Sequence, residues 1–443
     1  MEEQVCWDFD PESSVFDRDR HIFYLEMMYQ MLPSAYQGQE INRLTLAYFV
    51  VSGLDILRAI DRIDKEVVIN WVLSLQAHPK NDSTLENGRF YGFHGSRSSQ
   101  FQSNDNGAAI PNGSHLASTY CALAILKTVG YDLSLMDSEL LLKSMKNLQQ
   151  TDGCMLAMYY CLCPDMKTLL ALLTCETDYF QICTVLLAAR VYTGTSFCSY
   201  DKGRISFMPI HIGGEADLRF VFCAAAICSM LKNWSGMDLE KAKDYIINCQ
   251  SYDGGFGLSP GSESHVDYEL KKYVIEGFSP VLYSILIFVT LMDGNCFSVA
   301  GGATYCAVAS LKLMGFLEED LLSRSASCHV INVPLLLDWT LQKQAQDGGF
   351  QGRANKPADT CYAFWIGGVL RILQADKFID ESALRGFLLT CQSEYGGFSK
   401  FPRLLPDLYH SYYGFCAFSL LKEPGLNSLC IELGITVVAA IGL

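Results

Sequence analysis

The chain contains 443 residues, of which 50% are apolar and 18% are charged, a balance that can fill a large core and excludes an intrinsically disordered protein. Its formal net charge of −15 argues against nucleic-acid binding, which needs a basic surface. The acidic N-terminus has no apolar signal segment, and the longest apolar stretch, at 278–292, is too short to span a membrane. We therefore expect a cytoplasmic protein that does not span a membrane, with its 18 cysteines mostly reduced and buried.

A short phrase recurs along the chain, and each copy closes a segment with helical periodicity. Complete copies are QSYDGGF at 250–256, QAQDGGF at 344–350 and QSEYGGF at 392–398; QQTDG at 149–153 is truncated, and a weaker copy begins at Gln76. Apolar residues at i, i+3, i+4 and i+7 predict amphipathic helices with one solvated face. In chain order, these predicted outer helices are 21–32, 68–76, 138–149, 238–250, 333–344 and 382–392.

A second kind of helix alternates with the first. These segments are apolar nearly all round and rich in Ala, Gly, Ser and Cys, which is typical of helices packed closely on every side. They are 43–57, 114–126, 219–231, 301–315, 359–373 and 411–421. Six repeated helix pairs with buried inner members predict an all-α fold, a closed α/α barrel of six inner and six outer helices.

The spacing of the repeats indicates two insertions. The last two complete copies are 48 residues apart, whereas the steps from Gln150 to Gln250 and from Gln250 to Gln344 are 100 and 94 residues. Segments 154–205 and 266–300 lack the repeat phrase, and removal of the first restores the 48-residue step. The predicted organisation is therefore an N-terminal tail, 1–20, one barrel domain, 21–425, interrupted by these two segments, and a C-terminal tail, 426–443.

Polar residues with metal-ligand chemistry lie at the starts of the last two predicted inner helices. Parallel helices of one ring begin at the same end of a barrel, so Asp359, Cys361 and His410 should lie close together. A carboxylate, a thiolate and an imidazole form a three-ligand set for zinc, with a fourth position open. The alternative for the Asp-x-Cys pair alone is a buried cysteine beside an N-capping aspartate.

A second set at the same end is cationic. His265, Arg353, Lys356 and Lys400, with Tyr362 as a hydroxyl donor, predict a phosphate or diphosphate pocket in an otherwise acidic protein. The alternative for these charges is a solvated loop. The aspartates of the DGGF phrases are interpreted as turn-forming residues.

Four phrases carry a resemblance to a known family. NWSGMD at 233–238, GSESH at 261–265, NKPADTCYAFW at 355–365 and GGFSKFP at 396–402 resemble the β subunits of protein prenyltransferases, most closely those of the type I geranylgeranyltransferases. The resemblance covers residues 20–153, 206–265 and 301–425.

The resemblance implies roles for individual residues. The family's zinc ligands fall on Asp359, Cys361 and His410, so one zinc ion per β subunit is implied. The family's diphosphate contacts fall on His265, Arg353, Lys356 and Tyr362. An arginine that lines the family's cavity near the peptide falls on Arg219. The candidate residues for the wall of the isoprenoid cavity are Phe222, Tyr305 and Trp365.

Two positions bear on subtype. Lys400 stands where farnesyltransferases have a magnesium-binding aspartate, so it is expected to act in catalysis without magnesium, because an ammonium stabilises a leaving diphosphate. Thr45 stands where farnesyltransferases have a tryptophan and leaves room for a C20 chain. Both residues imply a geranylgeranyl donor.

The implied reaction is transfer of a geranylgeranyl group from geranylgeranyl diphosphate to a protein thiol. The acceptor would be the cysteine of a C-terminal C-a-a-X sequence, often ending in Leu, as in small GTPases. The implied partner is a helical α subunit that forms a heterodimer with this chain.

Several alternatives stay open at this point. A farnesyltransferase β subunit is the nearest, and a Rab-type β subunit fits the phrases less well. Terpene cyclases that depend on adjacent aspartates are excluded because the chain has no such pair. A non-catalytic isoform is a further alternative if the two inserted segments, as unusual loops or translated introns, prevent closure of the barrel.

Overall fold

The computed structural model of the chain describes residues 15–78, 90–100, 114–149, 216–261, 301–318 and 330–443. Both predicted insertions, 154–205 and 266–300, lie outside the described residues, as does His265. No helix in the described ranges has the length and apolar character needed to cross a membrane.

The described residues contain twelve α-helices, which alternate along the chain between an outer and an inner layer. They are α1 Arg18–Gln30, α2 Arg43–Ile56, α3 Lys65–Leu73, α4 Leu116–Thr128, α5 Ser138–Lys146, α6 Leu218–Met230, α7 Leu239–Asn248, α8 Gly301–Leu313, α9 Val333–Leu341, α10 Thr360–Ile372, α11 Glu381–Thr390 and α12 Leu408–Leu420. Short 3₁₀ helices occur at Ser34–Asn42, Ile60–Arg62, Ser98–Gln100, Leu133–Leu135, Trp234–Gly236 and Asp376–Phe378.

The even-numbered helices form a closed inner ring. Each of them packs against the inner helices before and after it, and α12 packs against α2. The ring closes because small residues allow close approach: Ala224, Ala225 and Ala226 of α6 are fully buried. The prediction of an all-α barrel with six inner and six outer helices is confirmed.

The recurring phrase forms the same turn in each repeat. Gln76, Gln250, Gln344 and Gln392 each form an antiparallel bridge with the phenylalanine that ends their copy. The first glycine of the complete copies has a positive φ, for example +87° at Gly348. A Cβ there would lie 2.2 Å from the carbonyl oxygen of Ala383 in α11, so the turn requires glycine.

The repeat glutamine joins each turn to the start of the next outer helix. The Gln344 amide donates to the carbonyl of Asp380 at 3.0 Å and accepts from its N–H at 3.0 Å, and Asp380 is the N-cap of α11. Gln250 makes the same pair of bonds with Asn332. In the truncated copy Gln149 makes the equivalent pair of bonds, donating to the carbonyl of Asp238 at 3.1 Å and accepting from its N–H at 2.8 Å, whereas Gln150 lies outside the described residues.

The last repeat closes the barrel through the first helix. Gln392 accepts from the N–H of Asp17, the N-cap of α1, and donates to the carbonyl of Val15. His21 of α1 lies beside it, fully buried, with Nε2 3.0 Å from Gln392 Oε1. The start of α1 and the final glycine turn therefore form the closing seam of the ring.

Residues 426–436 pack into the barrel, although the sequence pattern places them in a C-terminal tail, and the Val437, Val438 and Ile441 side chains beyond them are exposed. The packed residues form a small hairpin of β1 Leu429–Cys430 and β2 Ile435–Thr436. Thr436 donates to the buried carboxylate of Asp55 at 2.5 Å, and the Leu433 and Ile435 side chains are buried. The hairpin thus occupies the interior of the ring at the end where the inner helices finish.

Candidate active site

The starts of the inner helices gather at one end of the barrel through a repeated backbone bond. In each case a backbone N–H at the start of an inner helix donates to a carbonyl in a glycine turn later in the chain. The accepting residue is the second one after the phenylalanine that ends the repeat phrase. The four described instances are Leu44 to Gly95, Leu218 to Leu258, Gly301 to Gly352 and Thr360 to Lys400. This end, which we call the mouth, therefore collects helix N-termini, where N–H groups and the helix dipoles favour anions.

Asp359, Cys361 and His410 come together at the mouth, as the sequence predicts. One ligand atom from each lies within 4.8 Å of the other two. Asp359 is the N-cap of α10, and its carboxylate accepts from the Cys361 N–H at 3.0 Å. His410 lies in the first turn of the neighbouring α12 and places Nε2 3.4 Å from Asp359 Oδ1. The set fits zinc in donor type, because one carboxylate oxygen, one thiol and one imidazole nitrogen converge.

The imidazole of His410 is oriented by a residue that the sequence analysis missed. Asp407, the N-cap of α12, accepts at Oδ2 from His410 Nδ1 at 2.6 Å, which directs Nε2 towards Asp359. A carboxylate behind a metal-binding imidazole is the usual outer-shell partner of such a ligand. The detectable signal was the Asp-x-x-His spacing, which also fits an ordinary helix cap.

The charges of the three groups depend on one another. Burial lowers the pKa of His410, but its bonds to Asp359 and Asp407 outweigh burial and raise the pKa to about 9. Burial opposes ionisation of Asp359, yet the bonds from His410 and Cys361 hold its pKa below the ordinary value. Burial, reinforced by the adjacent Asp359 carboxylate, raises the pKa of Cys361 well above its ordinary range. The carboxylate of Asp359 is therefore ionised beside a protonated His410 and a neutral Cys361 thiol.

Lys400 lies beside the same carboxylate. Its Nζ is 3.7 Å from Asp359 Oδ2, and its side chain is 48% exposed. The Lys400 carbonyl accepts from the Thr360 N–H, so the backbone bond at the start of α10 fixes this proximity. The ammonium therefore faces the mouth next to the candidate ligands.

The other members of the predicted cationic set lie in the loop before α10, with His265 outside the described residues. Arg353 is half-buried, Lys356 is exposed, and Tyr362 of α10 is half-buried. The Tyr362 ring packs against Gly352 and Gly301, where an added Cβ would lie 1.9 Å and 2.9 Å from the ring. Burial raises the pKa of Tyr362 to about 12, against the opposing charge of Arg353, so its hydroxyl remains a donor.

Arg219 lies elsewhere on the rim of the mouth. Its guanidinium donates to both carboxylate oxygens of Asp217, the N-cap of α6. His115, the N-cap of α4, is a second rim residue that sequence reasoning missed. Burial and the charge of Arg219 lower the pKa of His115 to about 4, so it presents a neutral imidazole there.

Aromatic side chains line the interior below the mouth. Trp365 donates from Nε1 to the Tyr409 hydroxyl at 3.3 Å and packs against Tyr413, with ring centroids 4.3 Å apart. The Phe222 and Tyr305 rings lie 5.6 Å apart. Thr45 of α2 is half-buried, with its hydroxyl oxygen 3.8 Å from Cys121 Sγ of α4. The structure thus provides a charged rim above an aromatic wall.

Comparison with known proteins gives concordant matches. The family model described as the prenyltransferase alpha-alpha toroid domain matches residues 16–178, 166–270 and 297–435. The geranylgeranyl transferase type-1 subunit beta of Arabidopsis thaliana is 54% identical over 97% of this chain and 92% of its own length. The corresponding subunit of Dictyostelium discoideum is 30% identical over 95% of this chain and 96% of its own length.

A solved structure shares the fold. The Candida albicans protein geranylgeranyltransferase-I, determined in complex with GGPP, has a TM-score of 0.66 and 19% identity, over 96% of this chain and 97% of that one. At that identity the likeness shows the architecture alone.

Proposed function

Because the chain belongs to the prenyltransferase family with the alpha-alpha toroid domain, and within it to the geranylgeranyl transferase type-1 β subunits, we propose how it transfers a geranylgeranyl group. The donor is geranylgeranyl diphosphate, and the acceptor is the cysteine thiol of a C-terminal C-a-a-X protein, such as a small GTPase. The partner is an α subunit, and the heterodimer works in the cytoplasm.

Asp359, Cys361 and His410 are the residues that would hold zinc. Their donor atoms are of the types that zinc binds and lie within 4.8 Å of one another, and Asp407 already orients the imidazole. When bound, zinc would lower the pKa of the acceptor cysteine and favour its thiolate.

The cations of the mouth act on the other substrate. Lys400, Arg353 and Lys356 would bind the diphosphate, with Tyr362 donating a hydroxyl bond and His265 joining them. In the reaction the acceptor sulfur forms a bond to C1 of the isoprenoid as the C1–oxygen bond breaks, and the electron pair leaves on the diphosphate. Lys400 would stabilise that developing charge, so magnesium is not required.

The interior wall receives the isoprenoid chain. Trp365, Phe222 and Tyr305 offer aromatic surface, and Arg219 on the rim would lie near the acceptor peptide. Thr45 is small and half-buried, and its hydroxyl oxygen lies 3.8 Å from Cys121 Sγ. A larger side chain at this position would take up more of the interior, so the small residue supports a C20 donor.

The convergence of Asp359, Cys361 and His410 at the cationic mouth carries this proposal. The test is co-expression with a type I α subunit and measurement of C20 and C15 transfer to a Leu-ending C-a-a-X peptide, with and without magnesium. We expect C20 transfer that persists without magnesium and one bound zinc per heterodimer. Preference for the C15 donor would favour the farnesyl alternative.

A separate experiment tests the alternative that this chain is a non-catalytic isoform. A variant lacking 154–205 and 266–300 is compared with the full chain. Transfer only by the shortened variant would show that the segments inactivate this isoform. Transfer by neither protein, with zinc absent from both, would overturn the proposed site. Cys361→Ala, which removes one ligand, is the control for zinc content.

A further inference from the structure

The start of α12 is held by a side chain, where four other inner helices are held by a glycine turn. In α2, α6, α8 and α10 an N–H at the helix start donates to a backbone carbonyl of the next repeat. In α12 the donor is the N–H of Leu408, the first residue after the N-cap, and the acceptor is the hydroxyl oxygen of Tyr36 at 2.9 Å. Tyr36 lies 372 residues earlier in the chain, so this bond joins the last repeat to the first.

The sequence explains why a side chain takes this place. Each of the four backbone acceptors belongs to the turn that follows the next outer helix around the ring. For α12 the next outer helix is α1, because the ring closes there. The stretch after α1, MLPSAYQGQEIN at 31–42, contains no copy of the repeat phrase and includes the 3₁₀ helix Ser34–Asn42. Tyr36 therefore supplies the acceptor that a glycine turn provides elsewhere.

The Tyr36 side chain reaches inward from an exposed segment. Tyr36 is half-buried, whereas its neighbours Ala35 and Gly38 are exposed. Burial raises the pKa of Tyr36, against the bond from the Leu408 N–H and together with the charge of Asp407. The hydroxyl therefore stays neutral and satisfies the helix N–H without a second negative charge beside the Asp407 carboxylate.

The bond matters because the first N–H groups of a helix have no partner within the helix. At the start of α12 the Asp407 side chain accepts from the His410 N–H at 2.9 Å, and Tyr36 accepts from the Leu408 N–H. The Leu408 side chain is fully buried. Loss of the Tyr36 oxygen would leave a donor at a buried residue without this partner, which disfavours the present position of the first turn.

We propose that Tyr36 is a positioning residue for the candidate zinc site, because its hydroxyl fixes the first turn of α12, which carries His410. The inference rests on the proposed function in that it takes His410 and the two candidate ligands at the start of α10 as a metal site. Leu408 lies between Asp407 and His410. A shift of this turn therefore moves the imidazole and its orienting carboxylate together, relative to the ligands of α10.

The test uses Tyr36→Phe in the heterodimer with a type I α subunit, and Co²⁺ as the probe in place of zinc. The thiolate-to-cobalt charge-transfer band reports the bond to Cys361, and the ligand-field bands report the geometry around the ion. We expect the Co²⁺ affinity to fall about fivefold to tenfold, as for the loss of one buried hydrogen bond, and the ligand-field bands to shift. A substitution that only destabilised the fold would leave the bands of the folded protein unchanged.

The matched control removes a tyrosine hydroxyl at the start of another inner helix. Tyr245 donates to the Leu258 carbonyl at 3.2 Å, and the same carbonyl accepts from the Leu218 N–H at the start of α6. Tyr245→Phe therefore removes one hydroxyl bond and keeps the backbone acceptor. The Co²⁺ affinity and bands of this variant should equal those of the unmodified heterodimer.

Unchanged Co²⁺ affinity and bands in Tyr36→Phe would overturn the positioning role and leave the proposed function intact. Equal changes in Tyr245→Phe would also overturn it, because the effect would then not be specific to α12. Absence of Co²⁺ binding by the unmodified heterodimer would instead count against the proposed metal site, and the inference would fall with it.

If Tyr36→Phe does not assemble with the α subunit, amide hydrogen exchange of the unmodified heterodimer decides. The Leu408 N–H should be protected to about the same degree as the Thr360 N–H, whose acceptor is the Lys400 carbonyl. Exchange of the Leu408 N–H as fast as that of an unbonded amide would overturn the inference.

Discussion

At the scale of single residues, the candidate zinc site depends on a carboxylate that is not one of its three ligands. Asp407 holds His410 Nδ1 at 2.6 Å and also caps α12. Asp407→Asn keeps a capping side chain but removes the negative charge behind the imidazole. We expect zinc affinity to fall about 10–100-fold, measured by competition with a chromophoric chelator.

Asp380→Asn makes the same chemical change at the N-cap of α11, away from the ligands, and should leave zinc affinity unaltered. Equal zinc affinity in Asp407→Asn and the unmodified protein would show that His410 needs no orienting partner. Restored affinity in Asp407→Glu would support a role for the charge.

Lys400 is expected to act on the leaving group rather than on the acceptor. Its ammonium lies 3.7 Å from Asp359 and faces the mouth. Lys400→Ala should lower kcat by about 10²-fold, because a cation next to a developing anion acts mainly in the transition state. The KM for the peptide should stay unchanged, which steady-state kinetics in magnesium-free buffer would establish. Lys377→Ala, at an exposed position remote from the mouth, is the control, and an equal fall in that variant would refute a specific role.

At the scale of elements, the glycine turn determines where each outer helix begins. Gly348→Ala places a methyl group 2.2 Å from the Ala383 carbonyl and requires a residue with a side chain at φ +87°. We expect a loss of about 2–4 kcal/mol in the free energy of unfolding, measured by urea denaturation. Gly386→Ala, in the exposed middle of α11 with open space around it, should instead stabilise by about 1 kcal/mol. If Gly348→Ala and Gly386→Ala changed the free energy of unfolding in the same direction, this explanation of the turn would be contradicted.

The elements that the sequence predicts are those specified by local patterns. Inner and outer helices differ in periodicity, and the repeat phrase marks the turns, even in the weak copy at Gln76. The candidate zinc-ligand set could be found because Asp359 and Cys361 are two residues apart and the inner helices begin at one end of the barrel. The missed features depend on contacts distant in sequence: the role of Gln149 is set by its bond to Asp238, 89 residues later in the chain.

The C-terminal hairpin is an example of a feature that local sequence patterns do not predict. Its strands β1 and β2 contain only two residues each, and residues 437–443 after it have no helical periodicity. The position of the strands is set by tyrosine hydroxyls that lie hundreds of residues earlier, such as Tyr48, and by the buried carboxylate of Asp55. The spacing of residues within the hairpin does not predict these hydrogen-bond partners.

At the scale of the whole molecule, the seam that closes the ring contains a neutral histidine, His21. His21 Nδ1 accepts from the Gly397 N–H at 2.9 Å, so its proton is on Nε2, which donates to Gln392. A second proton on Nδ1 would break the bond to Gly397. Burial lowers the pKa of His21 from 6.5 to about 4, because the charged ring would lie fully buried among aromatic side chains.

The depressed pKa makes the closing seam sensitive to acid. The stabilisation is complete above pH 6.5, where His21 is neutral in both folded and unfolded chains, and is lost as the pH falls from 6.5 towards 4. Between pH 7.5 and pH 5 the protein should therefore lose about 2 kcal/mol of unfolding free energy through this residue. The comparison is with His21→Asn, which retains hydrogen-bonding groups but does not titrate. Urea denaturation at both pH values should show the larger loss in the unmodified protein, because His115, whose pKa is also about 4, contributes equally to both. Parallel losses in the two proteins would mean that protonation of His21 does not open the seam.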